Sequence, residues 1–269
     1  GTLLSKTMLT SNSGSLTNSG TLQANDGSTI KATGALDNSG LLLLSDSVTK
    51  AGTLNVGTLS NTGAGIIQSA QDLVINVSSD TLTNAKTIIA ARDLTLTSIG
   101  DGMTLTNENG GFIQSGTTSG DTLTIGGTAV ALNNTSGTIL SDQLAFTLAS
   151  LSNAGAIQGG TAISTIGVSG TLNNAGTLTL ATEGTGNSRV TADTLTNAGT
   201  LQSGAGLTAT IIQELNNTGT LFASKNLSSN TGSLTNSGTL QTNQDATLTT
   251  DKLTNSGKLI TSGKGYNGI

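Results

Sequence analysis

The sequence predicts an all-β protein, a right-handed parallel β-helix (β-solenoid) of about 12 coils with 19–27 residues per coil. Three observations predict it. A short motif returns twelve times in phase. Between its returns, apolar and polar residues alternate at period two, the mark of a strand with one face buried, and no segment holds a helical period. Small and polar residues take the place of most charges and aromatics.

The motif is Leu-x-Asn-x-Gly-x-(Leu/Ile)-x-(Ser/Ala/Thr), as in Leu16-Thr17-Asn18-Ser19-Gly20-Thr21-Leu22-Gln23-Ala24. Its asparagines are Asn18, Asn38, Asn61, Asn84, Asn107, Asn134, Asn153, Asn174, Asn197, Asn217, Asn236 and Asn255, spaced by 19 to 27 residues. Its glycines are Gly20, Gly40, Gly63, Gly155, Gly176, Gly199, Gly219, Gly238 and Gly257, while Lys86, Asn109 and Ser136 stand at the Gly position elsewhere. The second half of each unit alternates again, as in Asp93-Leu94-Thr95-Leu96-Thr97.

A unit of about 20 residues cannot bury its own apolar face, but stacked units can. Each backbone N–H and C=O then pairs with the coil above or below. Right-handedness follows from the general preference of parallel crossovers. At about 4.8 Å per coil, twelve coils give a rod of roughly 55–60 Å. Leucine-rich repeats share the period but not the Leu-x-x-Leu-x-Leu spacing. The core is expected from Leu16, Leu22, Leu36, Leu59, Leu82, Leu105, Leu132, Leu151, Leu172, Leu195, Leu215, Leu234 and Leu253. The asparagines are expected at a corner, bonded amide to amide along the axis. The motif glycines are expected at positive φ, which Lys86 and Ser136 would tolerate poorly. The longest interval, Asn107 to Asn134, should bulge a loop at Gly116–Gly120 or Gly126–Gly127. Phe146 is expected inside, and Phe222 on the outer face or a coil corner.

Gly1 to Gln23 aligns without gaps on Gly219 to Gln241 with 16 of 23 residues identical, which places Gly1 on the motif glycine Gly219. The chain is therefore expected to start in mid-coil. The closing Gly263–Ile269 resembles no cap. Residues 1–269 read as one β-helix segment of a longer array.

Composition narrows the function. The chain has no Pro, Cys, His or Trp, four aromatics, 9% charged residues and a net charge of −5. Missing cysteines remove disulfides and thiolate metal sites. No apolar run approaches the roughly 20 residues of a membrane-spanning helix. Ten scattered Lys and Arg make no basic face for nucleic acid. The missing His removes the usual nucleophilic triads. A solenoid lyase would need clustered Asp with Lys or Arg. Asp245 and Asp251 near Lys252, and Arg92 beside Asp93, read as solvated surface charges. Gly110-Gly111 and Gly126-Gly127 lack the Asp of a calcium-binding repeat. Thr-x-Thr at Thr95–Thr97, Thr122–Thr124 and Thr247–Thr249 could order water as an ice-binding array, but the uneven coil lengths disfavour a flat lattice. Too few aromatics are present for a sugar platform. No catalytic residue, cofactor, metal or small-molecule ligand is expected.

The Leu-x-Asn-x-Gly-x-Leu-x-Ala/Ser repeat resembles the haemagglutinin repeats of filamentous haemagglutinin and of contact-dependent growth-inhibition toxins, from Gly1 to about Ser262. The resemblance implies a two-partner-secreted exoprotein, exported through a dedicated outer-membrane β-barrel transporter and projecting as a filament from the bacterial surface. It implies a passive, monomeric stalk for the receptor-binding and effector regions of a growth-inhibition toxin, or the shaft of a filamentous adhesin. Target-cell receptors would be met through other regions of the parent.

Overall fold

The computed structural model describes residues 1–116, 118–263 and 266–267. Lys264, Gly265, Gly268 and Ile269, part of the closing segment read as uncapped, lie outside the described residues. Among the described residues all regular structure is strand, paired in parallel and stacked as a β-solenoid of about 12 turns. The chain divides into two compact units, Gly1–Ser141 and Asp142–Ile269.

In the first unit each coil has two parts. A short strand follows the motif turn, and these strands stack in order as Thr2–Ser5, Thr21–Ala24, Leu41–Ser45, Ile66–Ser69, Thr87–Ala90, Phe112–Gln114 and Thr138–Leu140. A longer run then leads back to the motif asparagine. It is continuous in Ser28–Asn38 and Gly52–Asn61, and broken at a bend in Leu73–Val77 with Thr81–Asn84. Where the run is continuous, its register shifts once, between Ala32 and Ala35.

The sequence repeat becomes columns. Leu16, Leu36, Leu59, Leu82, Leu105 and Leu132 stand opposite one another in successive coils. Leu22, Leu42, Ile67, Ile88, Ile113 and Ile139 form a second column on the short strands. Ile30, Leu54, Ile75, Leu96 and Ile125 form a third. Burying each such side chain contributes about 1.5–3 kcal/mol. Aliphatic columns fill this narrow interior without aromatics.

The second unit repeats the plan. Its short strands Ala156–Gln158, Thr177–Thr179, Thr200–Ser203, Thr220–Ala223, Thr239–Thr242 and Lys258–Thr261 stack in order. Leu151, Leu172, Leu195, Leu215, Leu234 and Leu253 form its motif column. Phe146 is 2% exposed and stacks on Ile166 in an inward column that continues through Val190 and Ala209.

Two expected core residues depart from the rest. Leu16 and Leu253 are only half-buried, whereas the other eleven are buried. In the register Leu16 stands beside Leu36 and Leu253 beside Leu234.

The long Asn107–Asn134 interval has two sources. The preceding coil runs six residues from Ile88 to Leu94, and this coil runs ten from the matching Ile113 to Leu123. The extra residues lie between Gln114 and Thr122, in the segment holding Gly116 and Gly120; Thr117 lies outside the described residues. Gly126 and Gly127 instead belong to the strand Thr122–Gly127 and pair with Thr97 and Ser98. The second source is a longer turn after Asn107, spanning Glu108 to Gly111.

Candidate functional site

The feature that recurs from coil to coil is the corner after the motif strand, built by asparagine and glycine. In the first unit the Asn18 Nδ2 donates to the Asn38 Oδ1 at 2.8 Å, and Asn38 to Asn61 at 2.8 Å. Asn61 donates to Asn84 at 2.8 Å, Asn84 to Asn107 at 2.9 Å, and Asn107 to Asn134 at 2.9 Å. In the second unit Asn153, Asn174, Asn197, Asn217, Asn236 and Asn255 are joined in the same sense at 2.7–2.8 Å. Each of these ladder bonds runs from the earlier coil to the later one, so the amide dipoles align within each unit.

The second amide hydrogen is also used. Asn18 donates to the Leu41 carbonyl at 2.9 Å, Asn174 to that of Thr200 at 2.9 Å and Asn197 to that of Thr220 at 2.8 Å. Each amide thus pins the first residue of the short strand in the following coil. Asn61, Asn84, Asn107, Asn134, Asn197 and Asn217 are fully buried. A buried amide is tolerated there because its donors find acceptors.

The glycines act otherwise than expected. Among the motif glycines Gly63 alone has a positive φ, of 59°. Gly20, Gly40, Gly155, Gly176, Gly199, Gly219, Gly238 and Gly257 have ordinary φ, and what all of these but Gly155 visibly need is space. A Cβ on Gly40 would lie 2.1 Å from the Gly20 carbonyl oxygen, and one on Gly219 2.1 Å from that of Gly199. The backbones approach so closely because that carbonyl accepts from the first strand residue of the next coil, as in Leu41 N–H to Gly20 O at 2.8 Å. Gly1 stands in the same place under Gly20, its carbonyl accepting from the Thr21 N–H at 2.9 Å.

The slot beside the strand is therefore defined by stacking. In the coil of Asn61 the turn is longer, and Gly65, not Gly63, precedes Ile66 and accepts from the Thr87 N–H at 3.2 Å. Gly111 and Gly137 fill the slot after Asn107 and Asn134. Asn109 lies within its lengthened turn and takes the left-handed φ of 52° itself. Ser136 has an ordinary φ and does not occupy the slot. Lys86 does occupy it, also at ordinary φ, and stacks on the coil with the widened Thr62–Gly65 turn.

A small residue at the end of the short strand makes the next corner. Ser203 is fully buried, accepts from the Ala205 N–H at 3.2 Å and donates to the Gly206 carbonyl at 3.1 Å. Ser45 and Ser69 accept from the backbone N–H two residues on in the same manner. A serine hydroxyl closing a local turn explains the Ser/Ala/Thr position of the motif.

Arg92 and Asp93 are exposed; the Arg92 guanidinium lies 3.8 Å from the buried Asp121 carboxylate, and Asp93 accepts from the Thr122 N–H at 2.7 Å. Asp251 and Lys252 are exposed on a strand. Among the described residues no group of three or more acids, His or Cys could hold a metal ion. Among the described residues no helix is long and apolar enough to cross a membrane. The Thr-x-Thr pairs do not build one lattice. Thr95 stacks on Thr124 but also on Val74, Thr97 lies between Asn76 and Gly126, and Thr249 pairs with Asn230.

Of the aromatics, Phe146 lies inside and Phe222 points outward from the strand Thr220–Ala223. The carboxylate of Asp142 has no sequence signal of its own, yet it is buried. It accepts from the Thr161 N–H at 2.7 Å and the Thr161 hydroxyl at 2.8 Å, tying the turn after Ala156–Gln158 to the neighbouring coil.

No curated protein and no solved structure matches this chain. The haemagglutinin repeat model matches residues 2–56, 184–228 and 222–267. These stretches cover just over half of the chain and leave out the coils with the lengthened turns after Asn61 and Asn107. With parallel coils carrying those matches, the chain belongs to the haemagglutinin repeat family and forms a β-solenoid of the filamentous haemagglutinin kind.

Proposed function

We propose that the chain is a rigid extracellular stalk that holds the receptor-binding and effector regions of a large secreted bacterial exoprotein away from the cell. The observation that carries this reading is that the recurrent chemistry of the chain is spent on stacking. The buried asparagines bond to one another and to strand carbonyls, and the glycine slots serve backbone approach. Haemagglutinin repeats belong to structural and adhesive surface proteins, which supports a secreted location and export through a two-partner outer-membrane transporter.

The parent's activity then belongs to its other regions. A toxin region downstream makes this the filament of a contact-dependent growth-inhibition toxin; an adhesive region makes it the shaft of a haemagglutinin-type adhesin. The test uses the parent protein displayed with its transporter. Removing whole coils is expected to bring a distal epitope closer to the cell by about 4.8 Å per coil, measured by immunogold labelling, with secretion retained. Loss of target-cell attachment on changing outward residues of these coils, with reach unchanged, would overturn the stalk reading.

A further inference from the structure

Asparagine carries the corners of this fold, and its side-chain amide is chemically labile. The backbone nitrogen after an asparagine can attack that asparagine's Cγ. The ladder blocks the attack twice. The N–H after a ladder asparagine donates to the carbonyl of the ladder asparagine one coil earlier: Ser39 to Asn18 at 2.8 Å, Ala85 to Asn61 at 2.9 Å, Ser237 to Asn217 at 2.9 Å. The Nδ2 that would leave is held as well, as in Asn38 by the Asn61 Oδ1 and the Ile66 carbonyl. Asn109 has neither lock. It is exposed, as is Gly110. The Gly111 N–H donates to the Glu108 carbonyl at 2.7 Å, and with φ of 52° at Asn109 and 75° at Gly110 this is a type I′ turn. Among the described residues no hydrogen bond engages the Asn109 amide or the Gly110 N–H. A Cβ on Gly110 would meet nothing within 4 Å, so nothing crowds the attacking nitrogen. Asn267 is also followed by glycine, but Gly268 lies outside the described residues.

We propose that Asn109 is a site of spontaneous deamidation and backbone isomerisation, and that the change is relayed to the asparagine ladder. The reaction needs water and hydroxide alone. Hydroxide takes the Gly110 amide proton, and the nitrogen forms a bond to the Asn109 Cγ. The Cγ–Nδ2 bond breaks, and ammonia leaves with a proton from water. Water then opens the five-membered imide at one of its two carbonyl carbons and returns a proton to the nitrogen. Opening at Cγ leaves an ordinary aspartate. Opening at the backbone carbonyl routes the chain through Cβ and Cγ, which makes it one atom longer. Rotation out of the turn is needed first, and the Gly111-to-Glu108 bond is what resists it. The extra atom enters just before a residue with no slack. A Cβ on Gly111 would lie 2.4 Å from both the Asn107 Oδ1 and the Asn84 carbonyl oxygen. The Gly111 carbonyl accepts from the Asn107 Nδ2 at 3.0 Å and from the Thr138 N–H at 2.8 Å. Lengthening the turn displaces the acceptor that the ladder and the next coil share.

Peptide mapping by mass spectrometry, after incubation at mildly alkaline pH, tests this on the folded chain and on the chain unfolded in guanidinium. Asn-Gly reacts faster than Asn-Ser in any unfolded chain, so the readout is how far folding slows each position. Folding is expected to slow loss of the amide at Asn38 and Asn236 by about a hundredfold or more, and at Asn109 by about tenfold or less. The Asn109 rate in the folded chain is expected to rise with hydroxide concentration. Equal protection of all three positions overturns the site. The relay is read by hydrogen exchange at the Thr138 amide. It is expected to be about tenfold faster in the aged chain than in the fresh one. Asn109→Asp adds the same charge without the extra backbone atom, and its exchange is expected to stay within about twofold of the fresh chain. Equal exchange in the aged chain and the variant overturns the relay.

Discussion

Gly199 stands so close over Gly176 that a Cβ placed on it would lie 2.1 Å from the Gly176 carbonyl oxygen and 2.6 Å from the Ala175 carbonyl. The relationship recurs along the corner, and it ties the glycine of the motif to the hydrogen bond of the coil beyond. The Gly176 carbonyl accepts from the Thr200 N–H at 2.9 Å, and only a residue without a side chain lets the two corners nest at that distance.

Gly199→Ala is therefore expected to destabilise the chain by about 2–4 kcal/mol, because backbone on both sides must move. Two other glycines separate space from conformation. Gly110 has open space around its missing Cβ but a φ of 75°, so Gly110→Ala is expected to cost about 1–2 kcal/mol. Gly14 has open space and no positive φ, so Gly14→Ala is expected to cost nothing or to stabilise by up to about 1 kcal/mol. Urea unfolding of the three variants checks the order. Equal losses at Gly199 and Gly110 would show that stacking distance is not the constraint.

The glycine slot also shows where reading the sequence stops. Fold class was legible because a parallel solenoid leaves a plain trace: one apolar column residue per coil at a fixed offset from a polar corner. Leu82 and Leu105 can be paired on paper because twenty-three residues separate both them and their asparagines. Turn length was not legible. Gly63 keeps the motif spacing, yet two inserted residues hand the slot to Gly65, and nothing in the local sequence distinguishes a glycine needed for φ from one needed for approach. Asp142 escaped because its partners are backbone groups and the Thr161 hydroxyl about twenty residues away, which no motif marks.

The asparagine column predicts a positional effect. Asn84→Leu removes the acceptor of Asn61 and the donor to Asn107, and leaves both of those groups buried. The expected cost is about 2–4 kcal/mol. Asn255→Leu removes an acceptor of Asn236 at an exposed position, and its expected cost is about 1 kcal/mol or less. Hydrogen exchange of the Thr83 to Thr106 amides should rise strongly in the first variant. Equal destabilisation by the two variants would sink the idea that burial of the ladder sets its worth.

Phe146 and Phe222 offer a contrast within one residue type. Phe146 is 2% exposed in an otherwise aliphatic column, and Phe146→Ala is expected to cost about 3–5 kcal/mol through the cavity it leaves. Phe222 is half-buried on an outward face, and Phe222→Ala is expected to cost about 1 kcal/mol or less. Thermal unfolding followed by circular dichroism distinguishes them, and a large loss at Phe222 would point to packing that its outward position does not supply.

Ser229 predicts a gain. It is 2% exposed and stacks between Ala209 and Leu248, in a column otherwise apolar at those positions. Its Oγ is buried and has no hydrogen-bond partner, unlike Ser203, whose hydroxyl closes a corner. Removing an unsatisfied buried hydroxyl while keeping the Cβ avoids both its desolvation cost and a large cavity. Ser229→Ala is therefore expected to stabilise by up to about 1 kcal/mol, whereas Ser203→Ala, which strips a paired hydroxyl and leaves the Ala205 N–H without it, is expected to destabilise by about 1 kcal/mol. The same substitution at two buried serines thus has opposite signs. Urea midpoints measured side by side read the difference directly, and a loss at Ser229 would mean that its hydroxyl is bonded in solution.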